Sequence, residues 1–160
     1  NVGVEGAGSA FDPQGPTGSA ATEKLFEKYF QLRGVEAEGS EISFRSDYAQ
    51  FFEEGIAFGG LFTGAEGVKT EEQAAKFGGE AGVSYDPCYH DTCDNLLNIN
   101  EQALEINADA SAFVTSWLSL STRVIDDEIA ASKDSQGDKM TIRSYQHGYD
   151  KTHWGKHWIK

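Results

Sequence analysis

The chain has 160 residues, enough for one domain with its own core, and a formal net charge of −13 at pH 7. This excess of acids argues against a nucleic-acid partner, because phosphate binding requires clustered lysine and arginine side chains. Hydrophobic residues make up 39% of the chain, which disfavours wholesale disorder, yet no run reaches the roughly 18 apolar residues of a membrane span.

The start of the chain lacks a methionine, and no charged segment precedes an apolar stretch, so no secretory signal peptide is visible. We interpret the chain as a mature or processed product, or as a fragment. The first 20 residues are rich in glycine, alanine and serine, and they indicate a strand remnant followed by a loop.

A first helix is predicted over residues 22–33. Thr22 is expected to cap its start, and Gly34 to end it. Four large apolar side chains fall on one face of the segment: Leu25, Phe26, Tyr29 and Phe30. We expect this face to pack against a core.

Two segments further along predict strands. Residues 41–45 alternate in polarity, and residues 56–62 form an apolar run between glycines, as expected of a strand buried on both faces of a mostly parallel sheet. A short helical turn is predicted between them, over residues 48–54. A second helix is predicted over residues 70–77, with Thr70 as its cap.

The second half of the chain predicts a loop and a long helix. Residues 85–100 show no periodicity and are expected to form an ordered loop, and residues 101–121 are expected to form the helix. The apolar stripe of this helix is predicted to contain Ala103, Ala110, Phe113, Trp117 and Leu120, with Leu104 and Ala108 beside it. Alternation of strands and helices along the chain predicts an α/β fold.

Candidate chemistry is concentrated in residues 88–93, with the sequence Cys-Tyr-His-Asp-Thr-Cys. One interpretation is a metal-binding His90, with Tyr89 donating a hydrogen bond to charge that develops on a substrate oxygen. The other is an ordinary loop histidine, since one imidazole cannot hold zinc. Cys88 and Cys93 are either free thiols or a short disulfide, and their spacing alone leaves both open.

The last part of the sequence offers a second, weaker candidate for a metal site. His153 and His157 are spaced to share a metal on a helix, but Gly155 weakens a helix and no glutamate lies between them as a general base. A solvated or partner-packing tail is the alternative. The chain has no G-x-S-x-G element for a serine hydrolase and no glycine-rich phosphate loop, so neither activity is supported.

Four motifs occur in order from Arg45 to Ala110: R-S-D-Y, G-G-L-F-T-G-A-E, K-F-G-G-x-A-G and D-P-C-Y-H-x-x-C-D. In sequence and spacing they resemble the co-catalytic two-zinc aminopeptidases of the secreted leucine aminopeptidase and vacuolar aminopeptidase Y type. The resemblance implies that residues 1–125 form the C-terminal half of a three-layer α/β/α zinc-peptidase domain with a mixed, mostly parallel sheet. Residues 126–160 would be an extra tail of unknown role, and from Lys133 onward the charge turns basic.

The resemblance also implies roles for single residues. His90 corresponds to a zinc ligand, and Tyr89 to the tyrosine that polarises the scissile carbonyl and stabilises the tetrahedral intermediate. Phe62 corresponds to a wall of the pocket for the first side chain of the substrate. Arg45 corresponds to a residue whose main chain helps to receive the free amino terminus.

The resemblance also implies roles for the two cysteines and for a pair of acidic residues. Cys88 and Cys93 correspond to a short disulfide of the family, which implies an oxidising compartment, either outside the cell or in a vacuolar lumen. Glu105 and Asp109 resemble positions that bind calcium in one branch of the family, although glutamate replaces aspartate at the first.

The implied activity is removal of N-terminal amino acids from peptides with a free N-terminus. Two zinc ions would share a water that becomes hydroxide and attacks the peptide bond. The remaining ligands and the general-base glutamate belong to the N-terminal half of the domain, and this chain lacks them. We therefore expect the chain to be inactive without that half. The alternative is a non-catalytic structural or assembly subunit that uses the tail as its interface.

Overall fold

Strands and helices alternate along the first half of the chain in the computed structural model, which describes residues 3–5 and 15–135. The elements are β1 (Gly3–Glu5), α1 (Ser19–Arg33), β2 (Glu38–Ser40), α2 (Tyr48–Glu53), β3 (Gly60–Phe62), α3 (Glu71–Phe77), α4 (Glu101–Leu120) and α5 (Arg123–Ser135). A 3-10 helix, Leu96–Asn98, precedes α4. His153 and His157 lie outside the described residues, so their metal site stays a prediction.

The central strand of a three-stranded sheet is β1, and the strand order is β2-β1-β3. In β1, Val4 lies opposite Gly39 in a parallel pairing with β2 and opposite Leu61 in an antiparallel pairing with β3. This mixed sheet, accompanied by helices, confirms the α/β class. The larger three-layer arrangement stays a prediction.

The strand predicted over residues 41–45 is wrong. The observed strand, β2, ends at Ser40, the residue before the predicted strand begins. Phe44 adopts a left-handed φ of 58°, which a strand does not accommodate. Ile42 is buried, and the Phe44 ring packs edge-on against Phe52 at a centroid distance of 4.8 Å. The apolar alternation therefore reflects a turn packed on α2.

The strand predicted over residues 56–62 is shortened to its last three residues, β3. Burial on both faces is also wrong, because Ile56 is exposed and Phe62 is 40% exposed. The backbone N–H of Phe58 donates to Ser19 Oγ at 3.1 Å. The segment before β3 therefore bonds to the start of α1 at this position.

Most of the core is contributed by α1. Its predicted apolar face is confirmed, and all four side chains are buried: Leu25, Phe26, Tyr29 and Phe30. They pack with Ala110 and Val114 of α4, and each large side chain buried in this way stabilises the fold by about 1.5–3 kcal/mol. Gly34 ends α1 in the left-handed conformation, as predicted.

The start of α1 differs from the prediction. The helix begins at Ser19, Gly18 occupies the capping position with φ 102°, and Thr22 is buried inside the helix. The Gly18 N–H donates to Glu128 Oε1 at 2.7 Å. Because Glu128 is 110 residues away, no local pattern around residue 18 indicates this start.

The two short helices follow their predictions closely. Helix α2 ends at Glu53, with Glu54 as its C-cap, whereas the helical turn was predicted to include Glu54 and to end at Gly55. Thr70 and Gln73 form a reciprocal capping box at the start of α3, with both hydrogen bonds 3.1 Å long. The predicted loop follows α3 and contains the 3-10 helix.

The long helix α4 has the predicted range, but its buried face is rotated. Ala110 is buried and Phe113 half-buried, as predicted. Leu120, however, is 88% exposed, and the buried face includes Val114 and half-buried Ile106 instead. Contact with the apolar face of α1 decides which side of α4 turns inward.

Helix α5 is absent from the sequence predictions. A Cβ atom placed on Gly18 would lie 2.8 Å from Ile125 Cγ2, so α5 approaches the start of α1 closely. Residue 126, where the predicted tail begins, lies within this helix, and the role of residues 126–160 stays a prediction. Among the described residues, no helix is long and apolar enough to cross a membrane.

Candidate active site

A disulfide joins Cys88 to Cys93 and closes a short loop around Tyr89 and His90. The Cα atoms of the two cysteines are 5.2 Å apart, and the N–H of Asp91 donates to the carbonyl of Cys88 at 2.9 Å. Outside this bridge, Asp86 Oδ1 accepts hydrogen bonds from the Cys88 N–H and from Asn98 Nδ2, both at 2.9 Å. The loop is therefore tied to the 3-10 helix that follows it.

His90 is exposed and has a left-handed backbone with φ 58°. This conformation is uncommon in a residue other than glycine and costs on the order of 1 kcal/mol, so the surrounding structure must hold it in place. The His90 ring stacks on the half-buried Tyr89 ring, with centroids 4.0 Å apart and an interplanar angle of 16°. The loop thus presents an imidazole to solvent in a defined orientation.

Arg45 lies close to this loop and pairs with an acid that the sequence analysis missed. Arg45 Nη1 donates to Glu66 Oε1. This hydrogen bond lowers the pKa of Glu66, and the nearby His90 lowers it further. The same bond raises the pKa of Arg45, with a smaller contribution from Tyr89. The structure therefore groups Arg45, Glu66, Tyr89 and His90 within electrostatic reach of one another.

Glu66 sits on a tight turn over residues 64–67. Gly64 has φ 101°, and a Cβ atom there would lie only 2.2 Å from the Tyr85 ring, so only glycine fits. The N–H of Asp86 donates to the carbonyl of Ala65 at 2.8 Å, and the N–H of Tyr85 donates to that of Gly67 at 2.9 Å. These bonds fasten the turn to the residues that lead into the disulfide loop.

Buried polar groups beside this turn support it. Lys69 is buried, and its ammonium donates to the carbonyl of Ser84 at 3.0 Å and lies 5.0 Å from the centre of the Tyr85 ring. Burial raises the pKa of Tyr85, with a smaller contribution from Glu38. Burial therefore favours the neutral phenol, which suits a ring packed over a glycine turn.

The other predicted site residues lie on separate elements. Phe62 ends β3 with its side chain partly exposed, so the ring is accessible to a ligand. Glu105 and Asp109 are one turn apart on α4 and line a shallow cleft together with Arg33. Calcium requires six to eight oxygen ligands, so two carboxylates beside an arginine would need further ligands from elsewhere. The calcium site stays a prediction.

Metal ligands are sparse in the part of the chain that the structure describes. Across residues 3–5 and 15–135, no group of three or more His, Cys, Asp or Glu side chains is placed to hold a metal ion. Glu66 could have been chosen as a candidate from the sequence, because it is the last residue of the G-G-L-F-T-G-A-E motif. Its ion pair with Arg45 could not be predicted, because the two residues are 21 positions apart.

We expect the double substitution Cys88→Ser/Cys93→Ser to lower the free energy of unfolding by about 2 kcal/mol, as chain entropy predicts for so short a loop. Hydrogen exchange should quicken at the amides of Tyr89 and Asp91. Denaturant unfolding and exchange mass spectrometry check both effects. Added reductant should destabilise the wild type but not the double variant. Equal stability of the two proteins under oxidising conditions would contradict a stabilising role of the disulfide.

Comparison with known proteins gives consistent matches. Residues 1–115 match Peptidase family M28. The chain is 67% identical over 142 residues to "Aminopeptidase" of Pseudomonas aeruginosa, a match that covers 89% of this chain and 26% of the relative. It is 47% identical over 119 residues to "Leucine aminopeptidase 2" of Arthroderma otae, covering 74% of this chain and 24% of the relative. The corresponding protein of Trichophyton rubrum is 49% identical over 109 residues, covering 68% and 22%. The chain thus spans about a quarter of the length of these curated relatives.

Proposed function

Because the chain belongs to peptidase family M28, we propose that it is part of a zinc-dependent aminopeptidase and contributes one side of its active site. The observation that carries this proposal is the exposed His90 ring stacked on half-buried Tyr89 in the disulfide-closed loop, within the segment that matches the family. The names of the relatives, "Aminopeptidase" and "Leucine aminopeptidase 2", support an exopeptidase that acts at N-termini.

The imidazole of His90 fits the role of a single zinc ligand. The side chain is exposed, and no side chain in the described segments donates to it or accepts from it, so a ring nitrogen is available for a metal. Neutral imidazole is a preferred ligand of zinc. When bound, zinc lowers the pKa of a coordinated water and polarises a carbonyl group. The remaining ligands would come from the N-terminal half of the same domain.

Three residues of this chain would contact the substrate, each in a different role. The Tyr89 phenol is expected to donate a hydrogen bond to the carbonyl oxygen as negative charge develops on it. The main chain at Arg45 would receive the free amino terminus, and Phe62 would form a wall of the pocket for the first side chain. Phe62 is suited to this task because its ring is partly exposed.

Exposed leucines support the N-terminal half of the domain as a partner. Leu96 and Leu97 on the 3-10 helix are 85% and 96% exposed, and Leu104 near the start of α4 is 61% exposed. Leucines exposed to this degree on two consecutive elements would be covered if another protein segment packed there. The disulfide favours an oxidising compartment, either outside the cell or in a vacuolar lumen.

The test is metal removal from the complete protein that contains this chain. We expect the purified protein to hold about two zinc ions, to release N-terminal amino acids from peptides, and to lose this activity on chelation. Adding zinc should restore it. The chain 1–160 alone, as a control, should cleave nothing. Undiminished activity in metal-free protein would refute the zinc mechanism, and a complete protein with neither zinc nor activity would favour the non-catalytic subunit.

A further inference from the structure

The ion pair between Arg45 and Glu66 is poorly explained as a stabilising interaction. The side chain of Arg45 is 64% exposed and that of Glu66 is 49% exposed. Exposed ion pairs contribute little to stability, because water screens the charges and two long side chains lose freedom. The turn that carries Glu66 is hydrogen-bonded to Tyr85 and Asp86, which lead into the loop of Tyr89 and His90, and this connection suggests a different role.

The backbone that leads into Arg45 has an unusual shape. Phe44 has a left-handed backbone, and the N–H of Arg45 donates to Ser43 Oγ at 3.4 Å. The Tyr48 hydroxyl accepts a hydrogen bond from the N–H of Ser43 at 2.9 Å and lies 3.2 Å from its Oγ. Hydrogen bonds with Tyr48 therefore hold the start of this turn, and the Arg45 end is held by a long hydrogen bond to Ser43 Oγ and by the ion pair of its guanidinium group with Glu66.

Glu66 is well placed to hold that guanidinium group. Its neighbour Ala65 is buried, and the carbonyl of Ala65 accepts a hydrogen bond from the N–H of Asp86, two residues before Cys88. The Glu66 carboxylate thus connects the Arg45 segment to the loop that carries Tyr89 and His90. The Glu66 carboxylate is ionised at neutral pH, as an ordinary glutamate is, and the hydrogen bond from Arg45 lowers its pKa below the ordinary value.

We propose that Glu66 is a positioning residue, which anchors the Arg45 side chain and so fixes the main chain at Arg45 relative to the Tyr89–His90 loop. This inference rests on the proposed function, in which that main chain receives the amino terminus of the substrate. A rigid connection between the two segments would set the distance between the bound amino terminus and the scissile carbonyl. The ion pair would then act on substrate binding while contributing little to folding.

The test is Glu66→Gln in the complete protein, since glutamine keeps the shape and loses the charge. We expect KM to rise roughly tenfold with kcat changed less than about twofold, because a positioning contact for substrate binding is weakened. The temperature of unfolding should stay unchanged. Asp127→Asn is the matched control, because it breaks the exposed ion pair between Arg123 and Asp127 on α5, and its KM should equal that of the wild type.

A double-mutant cycle tests the route through Arg45. In an Arg45→Ala background, Glu66→Gln should raise KM no further. The same increase in both backgrounds would overturn the proposed route, and so would an active wild type whose KM is unaffected by Glu66→Gln. A loss of folding stability in Glu66→Gln with unchanged KM would assign the pair a structural role instead. A wild-type protein without aminopeptidase activity would refute the proposed function itself and this inference with it.

Discussion

His90→Ala in the complete protein should abolish aminopeptidase activity while the protein remains folded. The imidazole is the only zinc ligand that we assign to the described residues of this chain, so its loss leaves the metal site incomplete. Folding should be spared because the ring is exposed and stacks on Tyr89 rather than filling the core. Turnover of a peptide with a free N-terminus, zinc content and the unfolding temperature would be measured on the same preparation.

The matched control for this substitution is Thr92→Ala. Thr92 lies in the same disulfide loop and is exposed, and among the described residues its hydroxyl bonds only to the neighbouring Asp91 at 3.2 Å. Its removal perturbs the loop without removing a metal ligand, so turnover should stay close to the wild-type value. Wild-type turnover in His90→Ala would rule out His90 as a required ligand. Equal losses in both variants would show that the loop conformation, rather than the imidazole, is what matters.

Tyr89→Phe should lower kcat by about 10²–10³-fold and leave KM nearly unchanged, as found when one donor to a developing oxyanion is removed. Phenylalanine keeps the ring that stacks on His90 at 4.0 Å, so the imidazole should hold its orientation and the protein its zinc. Steady-state kinetics with a good substrate would separate kcat from KM. Metal analysis would show that the loss arises from the hydroxyl group alone.

Tyr85→Phe is the corresponding control. The Tyr85 hydroxyl is buried without a hydrogen-bond partner among the described residues, so its removal should leave kcat unchanged. The ring itself would still pack over Gly64. A kcat for Tyr89→Phe that matches the value for Tyr85→Phe would show that the Tyr89 hydroxyl takes no part in the rate-limiting step.

Local periodicity predicted those parts of the fold that local interactions determine. Leu25, Phe26, Tyr29 and Phe30 repeat with the helical period, and their face forms the core. The start of α1 was misplaced because it depends on Glu128, which lies far along the chain. The face of α4 was misjudged because several of its sides are apolar, and contact with α1 selects one of them.

The candidate site was predicted through motifs, and its geometry was not. The stretch from Cys88 to Cys93 identified Tyr89 and His90 as candidates, but no pattern in the sequence shows that their rings stack. Glu66 was missed for a similar reason. Its pairing with Arg45 depends on a glycine turn and on hydrogen bonds to Tyr85 and Asp86, which bring distant charges together.

The stacked rings of Tyr89 and His90 behave as one mechanical unit. With nearly parallel planes and centroids 4.0 Å apart, rotation of either ring about its Cα–Cβ bond would break the stacking contact. In the proposed function, zinc binding by the imidazole would therefore restrict the phenol as well, so that its hydroxyl group would be oriented before a peptide binds. It follows that a substitution that changes the shape of either ring would remove a contact that orients its neighbour.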